Sequence, residues 1–146
     1  MDLFNSMSVS ASALSAERTR MNLISSNLAN ANTTRTPEGG PYKRRDAVFA
    51  ATPVKTPFAG VLDNAANRDI RQVEVTQIIE DQRPPRLQFD PSNPDANAQG
   101  YVAMPNVNVV EEMADMINTN RSYEANVTAV QAAKSMAMKA LEISSK

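Results

Sequence analysis

The stretch that decides the fold is the last third of the chain, where residues 109–144 read VVEEMADMINTNRSYEANVTAVQAAKSMAMKALEIS. It contains neither proline nor glycine, the residues that most often interrupt regular structure. Its apolar side chains recur at alternating spacings of three and four, which keeps one narrow stripe, or seam, on the same side of a helix. The pattern predicts a single helix over residues 109–144, about 50 Å long at about 1.5 Å per residue.

The predicted C-terminal seam contains two polar residues, Asn120 and Lys134, which fix the register of paired helices at some loss of stability. Glu111, Glu112 and Asp115 fall in the first turns, where negative charge suits the helix dipole. The seam consists of Val109, Met113, Met116, Asn120, Tyr123, Val127, Val130, Lys134, Ala137 and Leu141.

The N-terminal segment carries a matching seam with a seven-residue repeat, which is typical of a helix that pairs with another helix. Most other positions are Ser, Asn or Thr, whose side chains compete for backbone hydrogen bonds and weaken an isolated helix. This helix therefore needs a partner, and we expect the two terminal helices to pair as a coiled coil. The alternative is an intramolecular antiparallel pair that forms the core of an ordinary bundle. The seam consists of Met7, Leu14, Met21 and Leu28, with Phe4, Ala11 and Ile24 beside them.

All nine prolines and all four glycines lie between Pro37 and Pro105. This confinement divides the chain into a helical segment over 1–36, a β- and loop-rich middle over 37–105, and a helical segment over 106–146. Short apolar runs in the middle, at residues 47–50, 58–62, 73–79 and 87–89, predict short strands. The expected fold class is mainly α with a small β-rich insert.

Composition excludes several kinds of site. The 146 residues include no histidine and no cysteine, so a Ser-His-Asp triad, a disulfide and a zinc site with nitrogen or sulfur ligands are excluded. The net charge of −1 gives no global reason to expect a nucleic-acid partner. We expect no enzyme activity, no cofactor and no metal. The basic run Lys43-Arg44-Arg45 is interpreted as ordinary loop surface rather than a phosphate-binding patch.

One loop has part of the spacing of a calcium site. Asp95, Asn97 and Gln99, followed by Gly100, match the first half of a calcium-binding loop. The position that should hold a bidentate glutamate is Asn106, so we interpret the segment as a turn capped by side-chain amides. The chain also contains no run of about 20 apolar residues that would span a bilayer, and no signal-peptide pattern precedes Glu17.

Two separated motifs resemble a known family. Residues 27–33 read NLANANT and residues 116–126 read MINTNRSYEAN, and both resemble the terminal signatures of the bacterial flagellar rod, hook and filament-type axial proteins. Residues 37–42, 90–96, 100–102 and 105–107 are similar to segments of the proximal rod proteins of that family. The chain departs from the family pattern at Asn93, where histidine is common, and near Asn97, where an acidic residue is common. The motif residues are Asn27, Leu28, Asn30, Asn32, Arg121, Tyr123 and Asn126.

The resemblance implies a structural subunit that leaves the cytoplasm unfolded, through the flagellar type III export apparatus and without a cleaved signal. It would polymerise into the rod that crosses the periplasm, with the helices lining the inner tube. Implied partners are copies of itself, other rod proteins, and the membrane-ring and rod-adaptor proteins of the basal body. Asn27, Asn30 and Asn32 would then cap a helix end or bond across subunits.

Two other functions remain open at this stage. The same seams would serve a cytoplasmic coiled-coil scaffold or adaptor protein. Alternatively, the middle segment would be a small calcium- or carbohydrate-binding module.

Overall fold

The computed structural model describes residues 3–53 and 71–144, in which two long helices flank four short strands along the chain. The elements are α1 at Leu3–Ala29, β1 at Arg45–Pro53, β2 at Arg71–Glu80, β3 at Arg86–Phe89, β4 at Tyr101–Met104 and α2 at Val109–Ser144. The two helices pack together, and this confirms the predicted class, mainly α with a small β-rich insert. The apolar run at 58–62 lies outside the described residues.

Helix α1 satisfies several of its hydroxyl groups internally. Ser12 Oγ donates to the carbonyl of Val9 at 2.7 Å, and Thr19 Oγ1 donates to the carbonyl of Ser15 at 3.1 Å. Back-bonding of this kind satisfies the hydroxyl groups but slightly destabilises a helix, so α1 depends on tertiary contacts to remain helical. The described part of the chain contains no helix that is both long and apolar enough to cross a membrane.

Polar side chains mark the inner ends of both helices. Asn30 Nδ2 donates to the carbonyl of Ser26 at 2.9 Å, just beyond the end of α1. Asn108 precedes α2, and its Oδ1 accepts the backbone N–H of Val110 at 3.2 Å. Asparagine is a favoured N-cap because its side chain satisfies one of the free N–H groups of the first turn.

The strands form two separate two-stranded sheets, β1 with β2 and β3 with β4. In the antiparallel β3–β4 pair, Leu87 lies opposite Ala103 and Phe89 opposite Tyr101. The rings of Phe89 and Tyr101 meet edge to face, with centroids 5.3 Å apart. The apolar runs therefore predicted β1, β2 and β3, whereas β4 was not recognised as a strand.

The loop between β3 and β4 is held by side-chain oxygens. Asn93 Oδ1 accepts the N–H of Asp95 at 3.0 Å, and Asn97 Oδ1 accepts the N–H groups of Gln99 and Tyr101 at 2.9 and 3.0 Å. These are the side-chain caps typical of asparagine in turns. The two residues that depart from the family pattern thus shape this loop.

The chain divides into two compact units. The first is built from described residues within 3–19, 48–53, 71–77 and 120–144. In it, the side-chain amide of Gln72 donates to the Ser8 hydroxyl, and the N–H of Val73 donates to Ser12 Oγ at 3.1 Å. Ala16 of α1 and Ala133 of α2 are buried in this unit.

The second unit contains residues 20–47 and 78–119. Ala31, Tyr42 and Val107 form one buried apolar cluster. Three polar side chains are buried in the same unit: Asn27, Glu112 and Thr119. Buried polar groups are costly unless they are hydrogen-bonded, so the stability of this unit depends on the partners of these side chains.

Candidate functional site

Asn27, near the end of α1, uses its whole hydrogen-bonding capacity inside the second unit. Its Nδ2 donates to the carbonyl of Arg45 at 2.9 Å and to Glu112 Oε2 at 3.1 Å. Its Oδ1 accepts the Tyr42 hydroxyl at 3.0 Å and the N–H of Arg45 at 2.9 Å. An asparagine side chain has two donor hydrogens and two acceptor lone pairs, so all four are occupied. Asn27 therefore neither caps a helix nor retains an amide hydrogen bond for another subunit.

Glu112, in the first turn of α2, is the charged member of the same network and is 1% exposed. While Oε2 accepts from Asn27, Oε1 accepts from Arg44 Nε. Arg44 Nη1 also donates to Asp46 at 3.0 Å, and Nη2 lies 3.9 Å from Asp115. The carboxylate buried by α2 is thus neutralised by a guanidinium from the segment before β1.

Arg44 keeps its charge in this setting. Burial alone lowers the pKa of its guanidinium, but the hydrogen bonds to Asp46 and Glu112 and the charges of both carboxylates outweigh that effect and raise the pKa above its ordinary value. An arginine with this pKa stays protonated throughout the physiological range. The Arg44–Glu112 pair therefore remains ionic wherever Glu112 is ionised.

Sequence reasoning missed most of this network. The interpretation of Lys43-Arg44-Arg45 as loop surface describes the exposed Lys43 and is wrong for Arg44, which pairs with Glu112. Arg45 also has internal partners, since its Nη2 bonds Glu80 Oε1 at 3.1 Å and its guanidinium lies 6.0 Å from the centre of the Tyr42 ring. No local signal marks the ion pairs of Arg44 with Glu112 and of Arg45 with Glu80, because the partners are 68 and 35 positions apart in sequence.

The predicted N-terminal seam lies mostly on the inner side of α1. Ile24 is buried and four others are half-buried, whereas Ala11 belongs to an exposed row, and the side chain of Phe4 lies outside the described residues. The half-buried seam residues are Met7, Leu14, Met21 and Leu28. The exposed row runs along the opposite side at positions 11, 15, 18, 22, 25 and 29.

The predicted C-terminal seam is divided between the two sides of α2. The half-buried members are Met116, Tyr123, Val127, Val130 and Ala137. The exposed members are Val109, Met113, Asn120, Lys134 and Leu141. For Met113, Asn120 and Lys134, the preceding residue is buried instead, and these are Glu112, Thr119 and Ala133.

The remaining motif residues have varied surroundings. Asn30 caps α1, as described above, and Asn32 is exposed. Arg121 is exposed, and the half-buried Asn126 donates through Nδ2 to the carbonyl of Ser122 at 2.9 Å. The motif thus mixes residues that hold the fold with residues that face outward.

Helix α2 also leaves large apolar side chains uncovered. Isolated exposed apolar residues are common on protein surfaces, whereas a large contiguous apolar patch is typical of an interaction site. Within the described part of α2, the exposed ones are Val109, Val110, Met113, Ile117, Met136, Met138, Leu141 and Ile143. No group of three or more Asp, Glu, His or Cys side chains suited to a metal ion occurs among residues 3–53 and 71–144.

Comparison with known proteins connects these features to a family. Residues 7–35 match the model of the flagella basal body rod protein family, and residues 98–143 match that of the flagellar basal body rod FlgEFG protein C-terminal family. The first match contains Asn27, and the second contains Glu112 together with the exposed apolar residues of α2.

Similar full-length proteins carry the name flagellar basal-body rod protein FlgC. The one from Borreliella burgdorferi is 45% identical, with 98% of each chain covered. The one from Bacillus subtilis is 46% identical over 98% of this chain and 99% of the relative, and the one from Salmonella typhimurium is 39% identical over 98% of each. The identity is high and extends from end to end, so this chain belongs to the flagellar basal-body rod protein family, whose members are structural rather than enzymatic.

Proposed function

We propose that this chain is a structural subunit of the bacterial flagellar basal-body rod and that it joins the axial drive shaft through its terminal helices. The observation that carries the proposal is the set of exposed apolar side chains on α2, from Val109 to Ile143. Covering such a surface removes apolar area from water, which is the main favourable term in protein association. The relatives that match the chain end to end are named rod proteins, which supports the same conclusion.

The two predicted seams are the contacts that we assign to assembly. Residues such as Met21 and Val127 are only half-buried within one chain. Coiled-coil positions of this kind pack between helices, and further burial against a neighbouring subunit would complete their packing. Met113 and Leu141, which are exposed in the single chain, would be covered in the same step.

The low burial of the single chain suits export before assembly. Few large side chains are fully buried in the described residues, and those below 2% exposure are Glu112, Val102, Asn27 and Pro105. A chain that buries little on its own is easily kept unfolded, and binding to neighbours then supplies the missing stability. We therefore assign it to the type III export route, without a cleaved signal, and to the proximal part of the rod in the periplasm.

The partners that we propose are copies of this chain, other rod proteins, and the membrane-ring and rod-adaptor proteins around the base of the rod. A cytoplasmic coiled-coil scaffold remains the alternative function. The two functions differ in location, because a rod subunit resides in the isolated basal body and a scaffold stays in the soluble cytoplasm.

The proposal is tested in a bacterium from which this chain has been deleted. Basal bodies are purified with detergent, and the chain is sought in them by mass spectrometry after complementation with the wild-type sequence. We expect the deletion strain to lack rods and motility, and the complemented strain to carry the chain in its basal bodies. Intact rods in the deletion strain, with the complementing chain found only in the cytoplasm, would favour the scaffold instead.

A further inference from the structure

Helix α2 buries a polar side chain where an apolar one is available next to it. Glu112 is 1% exposed and Thr119 is 3% exposed, whereas Met113 and Ile117 are 52% and 53% exposed. Successive residues of a helix are about 100° apart around its axis. A rotation of α2 by about that angle would therefore bring Met113 inward and turn Glu112 toward solvent.

Within the first turns of α2, residues 109–119 of the second unit, apolar burial alone favours the rotated arrangement, whereas Tyr123, Val127 and Val130 further along already face inward. Removing methionine and isoleucine side chains from water stabilises a fold, while burying a carboxylate carries a large desolvation penalty. The observed orientation of these first turns is therefore supported by interactions that exist only when Glu112 points inward.

Those interactions come from two segments outside α2. Asn27 Nδ2 on α1 bonds Oε2 at 3.1 Å, and Arg44 Nε, from the segment before β1, bonds Oε1. Asn27 is itself held by Tyr42 and by both backbone groups of Arg45. Because Asn27 is held by Tyr42 and Arg45, and Arg44 by Asp46, all of them outside α2, Glu112 can satisfy both donors only at one orientation of the first turns of α2.

We infer that the Glu112 network fixes the orientation of the first turns of α2, residues 109–119, about the helix axis and so holds Met113 and Ile117 on the outside of the unit. The contacts and burial given above carry the inference for the single chain. Its use in assembly, where the outward residues would stay free for neighbouring subunits, rests on the proposed function.

The test relies on the absence of cysteine from the full sequence. Single cysteines are introduced as Met113→Cys or Thr119→Cys, and the rate of alkylation by a maleimide is measured on the purified full chain. In the otherwise wild-type chain we expect rapid labelling at position 113 and slow labelling at position 119.

Each cysteine is then combined with Glu112→Lys, which cannot accept the hydrogen bonds of Asn27 and Arg44 and places a second positive charge beside Arg44. We expect labelling at position 113 to slow by about tenfold, because a buried thiol reacts only through local opening, and labelling at position 119 to accelerate by about the same factor. The matched control is Glu111→Lys, which makes the same charge change at the neighbouring exposed position and should change neither rate. Unchanged rates in Glu112→Lys, or acceleration at both positions, would overturn the inference.

A second variant removes the positive partner of the ion pair and tests the same rotation. Arg44→Met leaves Glu112 buried without its counter-charge, which should drive the carboxylate outward. Labelling should again slow at position 113 and accelerate at position 119. Loss of the helical circular dichroism signal in both Glu112→Lys and Arg44→Met would also overturn the inference, since the network would then maintain the fold rather than select a rotation. These measurements use the isolated chain, so their failure is distinguishable from failure of the proposed rod function, which the basal-body experiment tests.

Discussion

Asn27 on α1 donates to Glu112 on α2 across 3.1 Å, although the two residues are 85 positions apart in the sequence. Each is 1% exposed, so their bond forms away from water, where an unpaired carboxylate or amide is costly. Both side chains also bond the segment between Tyr42 and Arg45. Three distant parts of the chain therefore meet at this pair, and the asparagine of the N-terminal motif holds the subunit together from inside.

Replacing Asn27 by alanine should destabilise the chain strongly. The change removes four hydrogen bonds and leaves the Tyr42 hydroxyl, the Arg45 backbone and part of Glu112 without partners. Buried groups left unsatisfied in this way cost about 2–4 kcal/mol of unfolding free energy. Urea unfolding followed by circular dichroism measures the loss.

The control for that prediction is Asn32→Ala, in the same motif but at an exposed position. It should change the free energy of unfolding by less than about 0.5 kcal/mol. Equal effects of the two substitutions would contradict the role assigned to Asn27.

The terminal helices could be predicted because their signals are local. The absence of proline and glycine predicted a helix over 109–144, and α2 spans Val109–Ser144. Apolar runs predicted three of the four described strands in the same way. β4 was missed because Tyr101 and Val102 follow a turn-rich loop and form a stretch of only four residues that depends on pairing with β3.

The orientation of the first turns of α2 could not be predicted from apolar periodicity. That pattern predicts that Met113 faces inward and Glu112 faces solvent. In the structure Met113 is exposed and Glu112 is buried. The reason lies in Arg44 and Asn27, which are 68 and 85 positions away from Glu112. A buried charge whose partners lie so far away in the sequence does not alter the spacing of apolar residues along its own helix.

Gly100 is required by the loop between β3 and β4. It has φ of +80°, and a Cβ added there would lie 2.9 Å from Phe89 Cε2 and 3.2 Å from Pro91 Cγ. Gly100→Ala should therefore cost about 1–3 kcal/mol through backbone strain and displacement of the Phe89 ring. Thermal unfolding monitored by circular dichroism provides the measurement.

Gly39→Ala separates these two effects. Gly39 has φ of +90°, but no atom lies within 4 Å of the position that a Cβ would take. It should therefore show backbone strain alone, about 1 kcal/mol. A loss at Gly39 as large as that at Gly100 would argue against a steric role for Phe89.

Asp81 should titrate at a higher pH when Arg83 is removed. Arg83 Nε donates to Asp81 Oδ2 at 2.7 Å, and the backbone N–H of Arg83 donates to Oδ1 at 2.9 Å, which together lower the pKa of the carboxyl below its ordinary value. The interaction stabilises the fold above the unfolded-state pKa of about 3.9 and is lost as the pH falls through the lower folded-state value.

In Arg83→Ala the pKa of Asp81 should move up toward its ordinary value, and NMR titration of the carboxyl carbon would record it. Stability at neutral pH should change little because the Arg83 side chain is largely exposed and water screens its charge. An unchanged pKa of Asp81 would show that the backbone N–H alone determines it.

Charges placed on the seams should abolish rod assembly. Met21 and Val127 are half-buried on the inner sides of α1 and α2, and an aspartate at either position would carry an unpaired charge into a helix contact. We expect Met21→Asp and Val127→Asp to eliminate swimming in soft agar and to remove the chain from purified basal bodies. Lys43→Ala changes a charge at an exposed position and should leave both readouts near wild type. Because a charged seam could also lower the amount of chain, its level in whole cells is measured alongside, and normal motility with either aspartate would refute the assignment of the seams to assembly.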